Sequence, residues 1–286
     1  MSTPDADPTT TRANDPDPGA ASEPAARYEA RDGVAVITLN RPQALNAVNA
    51  DLSTAVGEGL EAAAADPDVR VVVVTGAGRA FCAGADLKEI AQQRPIHAHG
   101  HPEWGFAGFI RHWIDKPIIA AVNGSALGGG AEIVLASDLV VASETAMFGL
   151  PEVKRGLLAA AGGVVRLQRQ VPLKRALELV LTGDAIHAAT AEQWGMVNRV
   201  VPADQVLGAA LGLAARIAAN APLSLQHSKR MVYRTVNGAS DWNAEWVGED
   251  PWAVNDEAVS TVFSSGDALE GPRAFAEKRQ PRWEGK

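Results

Sequence analysis

The chain has 286 residues, 47% of them hydrophobic and 21% charged, enough to bury the core of one large domain or two modest ones. A net charge of −8 argues against non-specific nucleic-acid binding as a main role, and an anionic substrate would need a local basic patch working against that sign. The single cysteine, Cys82, excludes an internal disulfide and fits a reducing compartment.

Residues 1–27, "MSTPDADPTTTRANDPDPGAASEPAAR", are rich in Pro, Asp, Ser and Thr and nearly free of large apolar side chains. Such a segment cannot bury enough surface to offset its ordering entropy, so a disordered tail is expected, with the folded body starting at Tyr28. It also lacks the basic-then-apolar pattern of a secretory signal, and no run in the chain approaches the ~18 apolar residues of a membrane span. A cytoplasmic protein is expected.

Next, "GVAVITLN" alternates like a strand, and "ADLSTAVGEGLEAAAADPD" has helical composition ending at Asp-Pro. "VRVVVVTG" is a continuous β-branched run suited to a strand buried on both faces. "DLKEIAQQ" reads as a short helix, "KPIIAAVNG" as a buried strand, "GGAEIVLAS" as a helix and "DLVVASETAMFG" as one strand. Strand, tight turn and helix thus recur through residues 28–200, which predicts an α/β core of similar units. From Gly162 the pattern turns mostly helical, with "NRVVP" as a short strand, and residues 201–286 form a helical C-terminal region. Its Trp242, Trp246 and Trp252 are expected to serve packing or subunit contacts.

Several familiar motifs fail. In "VVVVTGAGRAFCAG", Phe81 stands where a dinucleotide-binding turn needs its third glycine. No phosphate-binding G-x-x-x-x-G-K-[ST], no G-x-S-x-G elbow and no H-E-x-x-H is present. The "HAHGH" histidines (His97, His99, His101) lie in a loop without spaced cysteines or carboxylates and read as solvated, not as metal ligands. Cys82 has no base beside it and reads as a buried structural thiol.

Two junctions carry more. "AFCAGADLKEI" and "ALGGGAE" each place small residues between a strand and a helix, where unsatisfied N–H groups favour negative charge. Each alone reads as a tight turn; facing one another they would form an oxyanion hole. Beyond the second, Glu132 stands in an apolar helix before Ile133, Val134 and Leu135.

Taken together, "RPQALNA", "AFCAGADLKE", "KPIIAAVNGSALGGGAE", "FGLPE", "LVLTGD" and "EGPRAFAEKR" follow the order and spacing of the crotonase family. The chain closely resembles an enoyl-CoA hydratase from about Tyr28 to Trp283. The resemblance implies a crotonase-like spiral of repeated ββα units followed by a helical trimerisation region, with trimers paired into a hexamer. It implies that the Ala85 and Gly129 amides bind the thioester oxygen and that Glu132 and Glu152 are the catalytic carboxylates. Arg41, Ala83, Ala85, Asp86, Leu87, Lys88, Gly129 and Lys278 would contact the acyl-CoA. No metal and no separate cofactor is implied, since coenzyme A is part of the substrate.

Hydrating a 2-enoyl thioester puts a hydroxyl on C3 and a proton on C2 through an enolate-like state. Glu132 would deprotonate water and Glu152 would protonate C2, which calls for two partly desolvated carboxyls. A carnitinyl-CoA-type dehydratase, a Δ3,Δ2-enoyl-CoA isomerase and a non-catalytic acyl-CoA-binding protein are the alternatives. The pair of glutamates supports hydration or dehydration over isomerisation, which can proceed with one base. Ala159 and Ala160 stand where the family usually has Pro-Gly, so the shape of the acyl pocket does not transfer.

Overall fold

The computed structural model describes residues 23–220, 222–235, 252, 256, 259–260, 263–279 and 281–282. Strand β1 (Ala26–Arg31) forms an antiparallel hairpin with β2 (Val34–Leu39). It starts two residues before the expected Tyr28, and the Asn40 side chain holds Glu23 and Pro24 against the end of β2. The rest of the expected tail lies outside the described residues.

β3 (Val71–Gly76), β5 (Ile118–Val122), β7 (Leu139–Ser143) and β10 (Arg199–Val201) extend the hairpin into a six-stranded sheet in the order β1-β2-β3-β5-β7-β10. Every pairing beyond the hairpin is parallel. The β-branched run of β3 explains itself: Val72 and Val74 face the main core, while Val71 and Val73 face a second apolar layer. That layer is supplied by Val206, Ala210 and Ala214 of helix α7 (Val206–Ala218). The boundary read at residue 200 therefore falls inside one continuous packing unit.

A second sheet holds β4 (Ala80–Cys82), β6 (Ser125–Leu127), β8 (Met147–Gly149) and β9 (Ile186–His187), in that order. The segment read as one strand, "DLVVASETAMFG", is in fact split between the two sheets. Ser143 Oγ accepts the Thr145 amide and Ser143 O accepts the Ala146 amide, closing a turn that carries the chain from β7 to β8. The same step joins β3 to β4 and β5 to β6. Each turn of the spiral is a strand in the large sheet, a strand in the small one, then a helical segment: α2 (Leu87–Ala91), α3 (Gly129–Ala136) and the 3₁₀ turn Pro151–Arg155.

Before the spiral, α1 (Ala50–Ala65) is capped by Asn49, whose side chain accepts the Leu52 amide at 3.0 Å. After it come α4 (Gly163–Gln170), α5 (Leu173–Thr182), α6 (Ala188–Gln193), α8 (Pro222–Thr235) and α9 (Gly266–Ala276). α9 packs against α2 and the Pro151–Arg155 turn. Trp242 and Trp246 lie outside the described residues.

Candidate active site

The small sheet brings the site together. β4, β6 and β8 run parallel, with Cys82 opposite Ala126, Ala126 opposite Phe148 and Leu127 opposite Gly149. Adjacent strands are about 4.8 Å apart, so the residues leaving their C-terminal ends become neighbours. Those residues are Ala83–Ala85, Gly128–Gly129 and Leu150–Glu152.

Backbone alternation aims the Ala85 amide. Val48 N donates to Gly84 O at 2.8 Å and Asp86 N donates to Val48 O at 2.9 Å, an isolated parallel bridge centred on Ala85. The Ala85 N–H therefore points the opposite way, toward the cavity that Ala85 lines. Gly129 opens α3, so its N–H has no acceptor within the helix. Among the described residues neither amide donates to a protein oxygen. Close approach of the two turns requires glycine: a methyl on Gly84 would lie 2.9 Å from Leu127 O and 3.0 Å from Gly129 N. Gly128, at φ 54° and ψ −126°, occupies backbone space that side-chain-bearing residues rarely adopt.

Glu132 sits one helical turn beyond Gly128, 3% exposed, in a helix buried nearly all round. Its Oε1 accepts the Gly163 amide at 2.8 Å. Burial, and then the charge of Glu152, raise its pKa well above the ordinary carboxylate range; backbone N–H groups of the Ala161–Gly163 turn and the charge of Arg166 oppose that rise. Glu152 enters on the 3₁₀ turn with its Oε1 over Gly128, and burial raises its pKa as well. Its Oε2 is buried with no hydrogen-bond partner.

The two carboxyls sit in unlike surroundings. The Gly163 amide and the N-terminus of α4 face Glu132, whereas Glu152 keeps one buried oxygen without a partner.

Both glutamates, Ala85 and Gly129 line a cavity of about 960 Å³. One wall carries Arg41, Ala83, Asp86, Leu87 and Lys88. Asp86 is a structural anchor in it: one oxygen caps α2 at Lys88 N, 3.1 Å away, and the other pairs with Arg41 at 3.0 Å. Arg41 also donates to Ala47 O. Lys88 is exposed at the rim. Lys278 is exposed after α9 and does not line the cavity, although Phe275 of that helix does. Phe275 of α9 edges the cavity while still exposed, and the lysine follows three residues later in the turn that ends the helix.

Other residues were not singled out from sequence. Asn46, fully buried at φ 56°, donates toward Ala77 O, Ala80 O and Phe81 O at 2.9, 2.9 and 3.1 Å and accepts Arg41 N. It fixes the strand that leads to Ala85, and its place in "RPQALNA" was the available signal. Trp252, expected as a packing or subunit residue, lines the cavity, with Arg111 4.2 Å and Arg166 5.0 Å from its ring centre. Of the "HAHGH" histidines, His97 lines the cavity, His99 meets Asp51 and His101 meets Glu103. Among the described residues no group of three His, Cys, Asp or Glu could hold a metal ion.

A parallel spiral of ββα turns that sets two free amides beside two buried carboxylates is the construction of the crotonase superfamily. The chain belongs to the enoyl-CoA hydratase/isomerase family, whose sequence pattern matches residues 29–286. It is 42% identical over 256 residues to a carnitinyl-CoA dehydratase from Salmonella agona, covering 87% of this chain and 94% of that one. A carnitinyl-CoA hydratase structure from Mycobacterium avium superposes with a TM-score of 0.85 at 56% identity, covering 93% and 100% of the two chains. An enoyl-CoA hydratase structure from Mycobacterium tuberculosis gives 0.71 at 41% identity, covering 92% and 100%.

Proposed function

We propose that the protein is a hydro-lyase that adds water reversibly across C2–C3 of a 2-enoyl-CoA thioester. The observation that carries this reading is the unequal pair: Glu132 held by the Gly163 amide, and Glu152 with a buried, unpartnered oxygen beside two free N–H donors. The thioester oxygen accepts from Ala85 and Gly129, which draws electron density from C3. Glu132 takes a proton as water oxygen bonds to C3, and Glu152 gives its proton to C2 as the enolate collapses. Losing one oxyanion donor typically costs ~10²–10³ in turnover. Coenzyme A would lie along Ala83–Lys88, with the rim charge of Lys88 toward its phosphates.

A dehydratase acting on a carnitinyl-type thioester is the second reading, favoured by the names of the relatives above; the machinery is the same run in the other direction. Trimers paired into a hexamer belong to the proposal too: α5 exposes Leu173, Leu177 and Leu181 at helical spacing, an unpartnered apolar stripe. Among the described residues no helix is long and apolar enough to cross a membrane.

Loss of the conjugated absorbance across a panel of enoyl-CoA thioesters, with carnitinyl-CoA dehydration in parallel, tests the reaction and ranks the two substrates. Glu132→Gln and Glu152→Gln should each lower kcat by ~10²–10⁴ with KM little changed. Full hydration by Glu152→Gln would move the chain to the isomerase reading; binding without turnover of any thioester, to the acyl-CoA-binding one.

A further inference from the structure

We propose that Arg166 is a positioning residue that holds Glu132 in its water-activating place by bracing the turn whose Gly163 amide grips the carboxylate. Arg166 stands four residues into α4, behind the entry turn Ala161–Gly163 that supplies this amide to Glu132. Its Nη2 donates to Ile110 O at 2.7 Å and its Nη1 lies 3.4 Å from Ala161 O. A methyl on Gly162 would come within 2.5 Å of Nη1, so the guanidinium is pressed against the turn.

The Ile110 contact reaches the other half of the site. Ile110 belongs to the segment that carries Phe106, whose ring would be 2.3 Å from a methyl on Gly129. One planar fork thus ties the Glu132 cradle to the segment backing an oxyanion donor. Lysine, with a single ammonium, cannot span both carbonyls in that way. The Trp252 ring, 5.0 Å from the guanidinium carbon, limits its movement on another side.

Charge adds to geometry. The ionisable groups acting on Arg166 are Glu132, Tyr233, Arg169 and Arg111, and those acting on Glu132 are Glu152 and Arg166. Arg166 is therefore the cation that opposes the repulsion from Glu152 and the cost of burial at Glu132. The Arg166 hydrogen bonds above go to Ile110 O and Ala161 O, while Glu152 rests on its own turn.

The test separates the two glutamates. The activity readouts rest on the hydratase reading, and a spectroscopic one does not. Arg166→Gln should lower kcat for hydration by ~10²-fold with KM little changed, as a misplaced base does. Exchange of the C2 proton of a saturated acyl-CoA in heavy water, which uses Glu152 and the oxyanion amides but not Glu132, should fall roughly tenfold less than hydration. In infrared spectra without substrate, the carboxyl band identified as Glu132 by its loss in Glu132→Gln should show more protonated form in Arg166→Gln at the same pH. Arg166→Lys should restore the ionised band but not full turnover. If Arg166→Gln does not fold, the lysine variant decides between bracing and charge by its turnover alone. Equal loss of hydration and exchange, an unchanged Glu132 band, or full turnover in Arg166→Lys would overturn the proposal. A parent enzyme that hydrates no thioester would sink the hydratase reading instead, leaving the infrared comparison to decide the role of Arg166.

Discussion

Gly128→Ala probes the joint on which the site turns. At φ 54° and ψ −126° an alanine is strained, at a cost of about 1–3 kcal/mol in stability. Its methyl would also meet Glu152 Oε1 at 2.8 Å, where ordinary contact begins near 3.4 Å. Either the carboxylate retreats by about 0.6 Å or the start of α3 does, and the latter carries the Gly129 donor with it. A displacement approaching 1 Å at a reacting group is worth ~10² in rate. Hydration kinetics and a urea melt on the same preparation should therefore show kcat down by one to two orders of magnitude, roughly, and stability down within the range above. A folded Gly128→Ala enzyme with parental kcat would refute the placement of Glu152 over the oxyanion turn.

Glu152→Gln should change the pH dependence of stability. Its native pKa is raised, so between its unfolded and folded values the native state binds more protons and stability falls as pH rises. Thermal melts should show the variant gaining on the parent above neutral pH, by about 1.4 kcal/mol for each pKa step removed, with the advantage gone below about pH 4. Asn46→Ala leaves buried carbonyls unpaired in a left-handed turn and should cost about 3 kcal/mol by urea melt, with hydration impaired through Ala85. Lys88→Ala should raise KM several-fold at low salt, about 1 kcal/mol, with little change in kcat; the difference should vanish at high salt. Light scattering at micromolar concentration should give a mass of three or six chains; a monomer would remove the role assigned to Leu173, Leu177 and Leu181.

What the sequence by itself determined was local. Val71–Val74 announced a strand buried on both faces because β-branched residues without alternation suit nothing else so well. The glycines before α3 marked a helix start with free amides, and Glu132 stood out because a carboxylate in an apolar helix demands compensation. The matched motifs then located Ala85, Gly129, Glu132 and Glu152, all of which line one cavity. What only the tertiary structure decided was register and partnership. β4, β6 and β8 are three residues each, too short to leave a periodic signal, yet their parallel pairing is what sets the three turns side by side. The break between β7 and β8 rests on a serine–threonine turn, not on any loss of hydrophobicity. The contact that distinguishes Glu132 from Glu152 comes from a residue 31 positions away, at the N-terminus of a different helix. No local pattern encodes such a distance: burial, and the pKa shifts it causes, belong to the packed molecule, because desolvation is set by everything that surrounds a group and not by its neighbours in the chain.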